Sequence, residues 1–130
     1  MIAVDTNVLV RLLTGDDPQQ ATRAKALFEA ETILLTKTVL LETEWVLRRL
    51  YGFAREQVIE ALMKLVSLAN VRCDDEATVV DALLWAKGGL DFADAMHLAS
   101  ARPAESFATF DVDLAKRAGT VSANIPVKQL

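Results

Sequence analysis

The sequence predicts an α/β fold, a three-layer α/β/α sandwich with a short central parallel sheet. Short apolar runs of strand length alternate with longer amphipathic stretches along all 130 residues. Strands separated by helices pair in parallel and need cover on both faces. The length predicts one domain, residues 1–130, with enough chain for a real core. No internal repeat, low-complexity stretch or linker breaks the pattern.

In order, residues 1–4 predict a short strand, followed by the turn-like Asp5-Thr6-Asn7 and an apolar stretch over 8–13 that Gly15 stops. Asp17-Pro18 reads as a helix start, with Asp as cap and Pro at the first helical position. That helix runs to Ala30 and is expected to bury Ala21, Ala24, Leu27 and Phe28. Residues 32–35 predict a second strand. A helix over 38–51 ends at Gly52, and another spans 55–68. Residues 70–73 predict a third strand. Helices over 76–87 and 90–102 end at Gly88-Gly89 and Pro103. A strand over 106–110 leads to a short helix over 111–118, and the tail predicts an edge strand at 125–127.

Composition narrows the function. With 52% hydrophobic and 25% charged residues the chain is globular. No apolar run is long enough to span a bilayer, and no basic leader precedes the first strand, so neither a membrane nor a signal peptide is expected. The single Cys73 has no partner for an internal disulfide, which fits a reducing cytoplasm, and reads as a small apolar filler. The net charge of −4 argues against a stable, non-specific nucleic-acid binder. It does not argue against a nuclease, because acidic metal ligands lower net charge and a bound cation reverses the sign locally.

Four carboxylates lie beside core-like segments: Asp5, Glu42, Asp94 and Asp111. Such groups are costly to bury unless paired or bound to metal. Gathered by the fold they would repel, and a divalent cation is the simplest remedy. In open α/β sheets the ligand crevice lies outside the carboxyl ends of the strands, where Asp5 and Asp111 are expected.

Each has a bland alternative. Asp5 and Asn7 also suit strand-to-helix turn chemistry. A phosphate-transfer Asp-x-Asp nucleophile would need Asp at position 7, which disfavours a phosphatase. Glu42 is expected on an apolar helix face with Trp45 and Val46, and Glu44 on the surface or paired with Arg48. Asp91 suits an N-cap with Asp94 at the third helical position. His97 reads as a packing neighbour. Asp111 and Asp113 open the last helix, and Thr109 projects on the same side as Asp111. Asp16 and Asp17 read as caps, and 74–76 as a solvated helix start. The stripe through Trp45, Leu47 and Leu50 reads as core or subunit interface. Arg11, Arg48, Arg49, Lys116 and Arg117 are candidates for substrate phosphates, or merely solvated surface.

Four motifs now stand in order: Val4-Asp5-Thr6-Asn7-Val8-Leu9, Leu41-Glu42, Asp91-Phe92-Ala93-Asp94-Ala95-Met96-His97-Leu98-Ala99 and Ala108-Thr109-Phe110-Asp111-Val112-Asp113-Leu114. Together they resemble the PIN domain, and more closely the VapC-type toxins of prokaryotic toxin–antitoxin pairs, over essentially the whole chain. The resemblance implies a Mg²⁺- or Mn²⁺-dependent endoribonuclease neutralised by a cognate antitoxin, and a homodimer. It implies catalytic and metal-binding roles for Asp5, Glu42, Asp94 and Asp111, with Asp113 a further metal ligand. Asn7, Asp91 and Thr109 would support them. The rivals are a non-catalytic PIN-like interaction module, and a DNase or phosphatase using the same acids.

Overall fold

The structure, a computed structural model, describes residues 1–121 and 123–130. By its contacts the chain divides into two compact units, residues 1–76 and 77–130.

The first unit opens with β1 (Ile2–Ala3), α1 (Thr6–Thr14) and α2 (Pro18–Ala30), continues with β2 (Ile33–Leu35), α3 (Lys37–Arg49) and α4 (Arg55–Val66), and closes with β3 (Val71–Cys73). Its strands form a parallel sheet in the order β1-β2-β3, with Ile33 in register with both Ile2 and Val71. Local chemistry fixes the helix ends. Asp5 caps α1, and Gly15 ends it at φ 67°, a left-handed conformation that glycine adopts without strain. Asp17 caps α2 by accepting from Gln20 N at 3.1 Å, with Pro18 in the first turn. Thr36 caps α3. α1 packs on α2 and α3, and α3 on α4. Leu9, Ile33, Leu35, Leu40 and Leu62 are fully buried, the expected outcome for apolar faces at helical and strand spacing.

The second unit contains most of α5 (Glu76–Lys87), then α6 (Phe92–Ser100), β4 (Phe107–Thr109), α7 (Val112–Ala118) and β5 (Val127–Gln129). β4 and β5 pair in parallel, Phe107 opposite Val127. Arg102 ties the end of α6 to α5 by an ion pair with Asp81 and lies over the Trp85 ring at 5.8 Å. Phe92, Ala95, Met96, Leu98 and Ala99 are buried, so most of α6 is core.

The mixed α/β architecture with short parallel sheets agrees with the sequence expectation. Several element ends shift by one or two residues, the turn expected at 5–7 is already helix from Thr6, and four further details differ. The tail strand is Val127–Gln129 rather than 125–127, because Ile125 is buried ahead of it and the ladder begins after Pro126, which has no N–H to donate. Ala21 and Leu27 are only half-buried, leaving Ala24 and Phe28 as the core contacts of α2. Trp45 and Leu50 are 48% and 68% exposed, so of the expected apolar stripe only Leu47 is core. Asp16 caps nothing; it bonds to Arg11, Thr14 and Tyr51.

Candidate functional site

Asp5 stands where β1 gives way to α1. Val4 before it is buried and Asp5 itself is exposed, at an extended φ of −82°. Its Oδ1 accepts from Thr6 N at 2.7 Å, which orients the carboxylate and places it at the positive end of the helix dipole. Glu42 projects from the middle of α3 and is also exposed. The two acids, sequence neighbours of nothing in common, line the same cavity of about 340 Å³ together with Thr6, Asn7, Arg11 and Tyr51. Of the residues expected at the site, Asp5, Asn7 and Glu42 line one cavity.

Thr6 adds a residue that the sequence reading passed over. It is 6% exposed and lines this cavity, and among the described residues its Oγ1 is a buried side-chain oxygen with no hydrogen-bond partner. Buried hydroxyls are normally satisfied, so this orphan stands out behind the cavity wall. No signal in the sequence separates Thr6 from any other helix-start threonine.

Glu42 lies on the expected face with Trp45 and Val46, whereas Glu44 is buried rather than at the surface. The buried face of α3 is Leu40, Thr43, Glu44 and Leu47, at the i, i+3, i+4, i+7 spacing of one helical stripe. Glu44 is therefore 3% exposed, and its Oε1 accepts from Arg48 Nε at 2.7 Å. Glu42 shares its face with half-exposed Val46 and exposed Trp45, not with the core. The expected pairing of Glu44 with Arg48 is present; its surface position is not. That pair also removes Arg48 from the pool of simple surface cations.

At the cavity rim, Tyr51 donates to Asp16 Oδ2 at 2.5 Å and accepts from Arg11 Nη1 at 3.1 Å, and Arg11 Nη1 meets Asp16 Oδ1 at 3.1 Å. The Tyr51 hydrogen bond, with help from the Asp16 charge, raises the Arg11 pKa. The hydrogen bonds from Tyr51 and Thr14 hold the Asp16 carboxyl below the ordinary carboxylate range. Arg11 is thus a fixed cation beside the two acids.

In the second unit the acids sit on helix starts. Asp91 caps α6 through Oδ2, accepting from Asp94 N at 3.1 Å, and both are half-buried. Asp111 caps α7, accepting from Leu114 N at 3.0 Å, while its own N donates to Thr109 Oγ1 at 3.0 Å. Asp113 is exposed within the first turn of α7 and caps nothing. His97 is exposed. Arg117 Nη1 donates to the Gly89 carbonyl at 2.8 Å.

Residues 2–120 match the PIN domain. This chain belongs to the PIN domain family. Comparison with curated proteins gave no match. PIN domains are typically nucleases that use divalent metal ions, so the family places this chain at the level of a nuclease, a hydrolase.

The donor chemistry of this PIN domain fits such an ion. Asp5 and Glu42 supply two carboxylates to one cavity, and Asn7 an amide. This all-oxygen set suits a hard divalent cation. Within neither unit do three or more His, Cys, Asp or Glu side chains of the described residues group closely enough to hold a metal. The first unit therefore offers a two-carboxylate site that fits a partly hydrated ion. Asp94 and Asp111 belong to the second unit.

Among the described residues, no helix is long and apolar enough to cross a membrane.

Proposed function

We propose that this PIN domain is a Mg²⁺- or Mn²⁺-dependent endoribonuclease, the toxin of a type II toxin–antitoxin pair. The observation that carries the nuclease reading is the convergence of Asp5 and Glu42, from distant points of the chain, on one cavity walled by Thr6, Asn7 and Arg11. The toxin assignment rests on the motif order, which is most similar to the VapC type.

In this reading Asp5 and Glu42 would hold the ion in the first unit, and Asp94, Asp111 and Asp113 of the second unit are proposed as metal ligands by their motif positions alone. When bound, a divalent ion lowers the pKa of a water and offsets charge on the phosphate. Glu42, exposed on the cavity wall, orients that water and accepts its proton. Asp5 is held in place by its cap bond to Thr6 N. Arg11, fixed by Tyr51 and Asp16, faces the phosphate charge. Attack by water breaks the bond between phosphorus and the 3′ oxygen, leaving a 3′-hydroxyl and a 5′-phosphate.

The partners proposed with this function are RNA, a cognate antitoxin and a second copy of the chain. A cytoplasmic setting suits the unpaired Cys73.

The test is cleavage of a cellular RNA pool by the parent and by Asp5→Ala and Glu42→Ala proteins, with Mg²⁺, with Mn²⁺ and with EDTA. Metal-dependent cuts lost in both variants support the reading. Equal cutting by parent and variants removes the site assignment. A parent that binds Mn²⁺ but cuts DNA or small phosphoesters in place of RNA would be the nuclease or phosphatase alternative. One that neither binds metal nor cuts is an interaction module.

A further inference from the structure

A second cavity of about 400 Å³ adjoins the acidic one, and Asn7 and Arg11 wall both. Its other lining residues are Val8, Gln20, Arg23, Ala24 and Leu27, all within the first unit. The volume falls in the range of small-ligand pockets, about 300–1,000 Å³. Its chemistry is opposite to its neighbour's: two guanidinium groups, two amides and an aliphatic floor, with no carboxylate on the wall.

The two arginines have different duties. Arg11 is already engaged by Asp16, Tyr51 and Gln20, which fixes its position. Arg23 is exposed on α2, and among the described residues no hydrogen bond or ion pair engages it. On a chain of net charge −4, an unpaired guanidinium on the wall of a cavity free of acids points to an anionic ligand. Gln20 Oε1 accepts from Arg11 Nε at 2.8 Å, which leaves the Gln20 NH₂ group to donate. Val8, Ala24 and Leu27 offer apolar surface to a base or sugar.

We propose that this cavity is the subsite for a nucleotide flanking the cut in a single-stranded RNA, with Arg23 as its phosphate anchor and Gln20 as a donor to base or ribose. The inference rests on the nuclease reading above and adds the strand-binding subsite. The shared wall decides between a nucleic acid and an acidic peptide. A strand running from the Asp5–Glu42 cavity into the Arg23 cavity places one phosphate at the acids and the next at a cation. Either anion meets Asp5 and Glu42 with like charge until a cation is bound there, but only the RNA strand brings a phosphodiester bond for that site to act on.

The experiment is a binding titration of the full chain in EDTA, which prevents cleavage, against labelled mixed-sequence single-stranded RNA of about twelve nucleotides. Parent, Arg23→Ala and Arg23→Lys proteins are compared at several salt concentrations, with polyglutamate as a second probe. Arg23→Ala is expected to weaken RNA binding about tenfold, as for one lost charge-assisted contact. It should also lower the salt slope by about 0.7, the single-strand value for one phosphate. Arg23→Lys should keep the slope. With metal restored, Arg23→Ala should raise KM and leave kcat near the parent's. Unchanged affinity and slope in Arg23→Ala overturn the subsite while leaving the nuclease reading intact if the parent still cuts RNA. A parent that binds no RNA also overturns it. Arg23-dependent binding of polyglutamate without RNA binding reassigns the cavity to an acidic peptide. Failure of the parent to cut any RNA with metal counts against the nuclease reading separately.

Discussion

The two units use aspartate at helix starts in the same way but leave the acids in different settings. Asp5, Asp91 and Asp111 are all N-caps, each accepting a backbone N–H of the helix it begins. In the first unit the capping acid shares a cavity with a carboxylate from another helix, Glu42, and with an unpartnered hydroxyl. In the second unit, Asp91 and Asp111 bind the turn that they start, and Asp94 and Asp113 lie in those same turns. A helix cap is thus both a stabilising device and a way to present one carboxylate oxygen at a strand end. Whether chemistry follows depends on what a second element brings to it.

Substitutions can sharpen or break that comparison. The largest expected effect is at Glu42, which carries no capping duty. Glu42→Gln should reduce metal-dependent cleavage by more than about a hundredfold, since even outer partners of metal ligands typically cost about 10- to 100-fold. Its thermal unfolding should stay within about 0.5 kcal/mol of the parent, as for an exposed position. A large loss of stability with retained cleavage would make Glu42 structural.

Glu44→Ala should do the reverse. It leaves the Arg48 guanidinium, 21% exposed, without its buried acceptor. Breaking a fully buried pair costs about 3–5 kcal/mol, and partial exposure of Arg48 reduces this to about 2–3 kcal/mol by denaturant titration. Direct metal binding to the first unit should persist.

Caps come next. Asp17→Ala removes the α2 cap alone and should cost about 1 kcal/mol. Asp111→Ala should cost a similar amount of stability at α7. If Asp111→Ala also abolishes cleavage, the second-unit cap has a double duty like Asp5; if it costs stability alone, the comparison between the units stands.

The smallest effect is at the rim. The Asp16 carboxyl is held below its unfolded value by Tyr51 and Thr14, so its contribution is present above the ordinary carboxylate range and is lost as pH falls through the lowered value. Tyr51→Phe should therefore be slightly less stable than the parent near neutrality, and the difference should shrink as pH falls through the carboxylate range, as read by denaturant titration at several pH values. Cys73 provides a control outside the cavity. Burial, with the Glu76 and Asp74 charges, pushes its thiol up to about 11, so alkylation near pH 8 should be slow in the folded protein and accelerate on unfolding.

Much of this was legible in the chain. Asp17-Pro18 marks the start of α2, Gly15 the end of α1, and the span Glu76–Lys87 of α5 follows from its flanking acids and the Gly88-Gly89 pair. The pairing of Asp5 with Asn7 on one cavity follows from their place after an apolar run. Glu44 is buried because the core-facing stripe of α3 runs through Leu40, Thr43 and Leu47, not through Trp45 and Val46. Leu40 and Leu47, one heptad apart, carried the correct phase, since both are buried with Thr43 and Glu44 between them. Tyr51 as a partner of Asp16, 35 residues away, could not be found from spacing at all.

The sequence by itself determined most helix ends to within one or two residues, that the strands run parallel, and the order of the acidic motifs that place the chain among PIN domains. Those properties depend on periodicity and on backbone groups a few residues apart. Tertiary structure alone decided that Asp5 and Glu42 border the same space, that Thr6 is left without a partner there, that Arg11 is taken by Tyr51 and Asp16, and that Arg23 is not engaged. Each of these depends on how helices α1, α2 and α3 pack, and packing brings together side chains whose separation along the chain carries no trace of it.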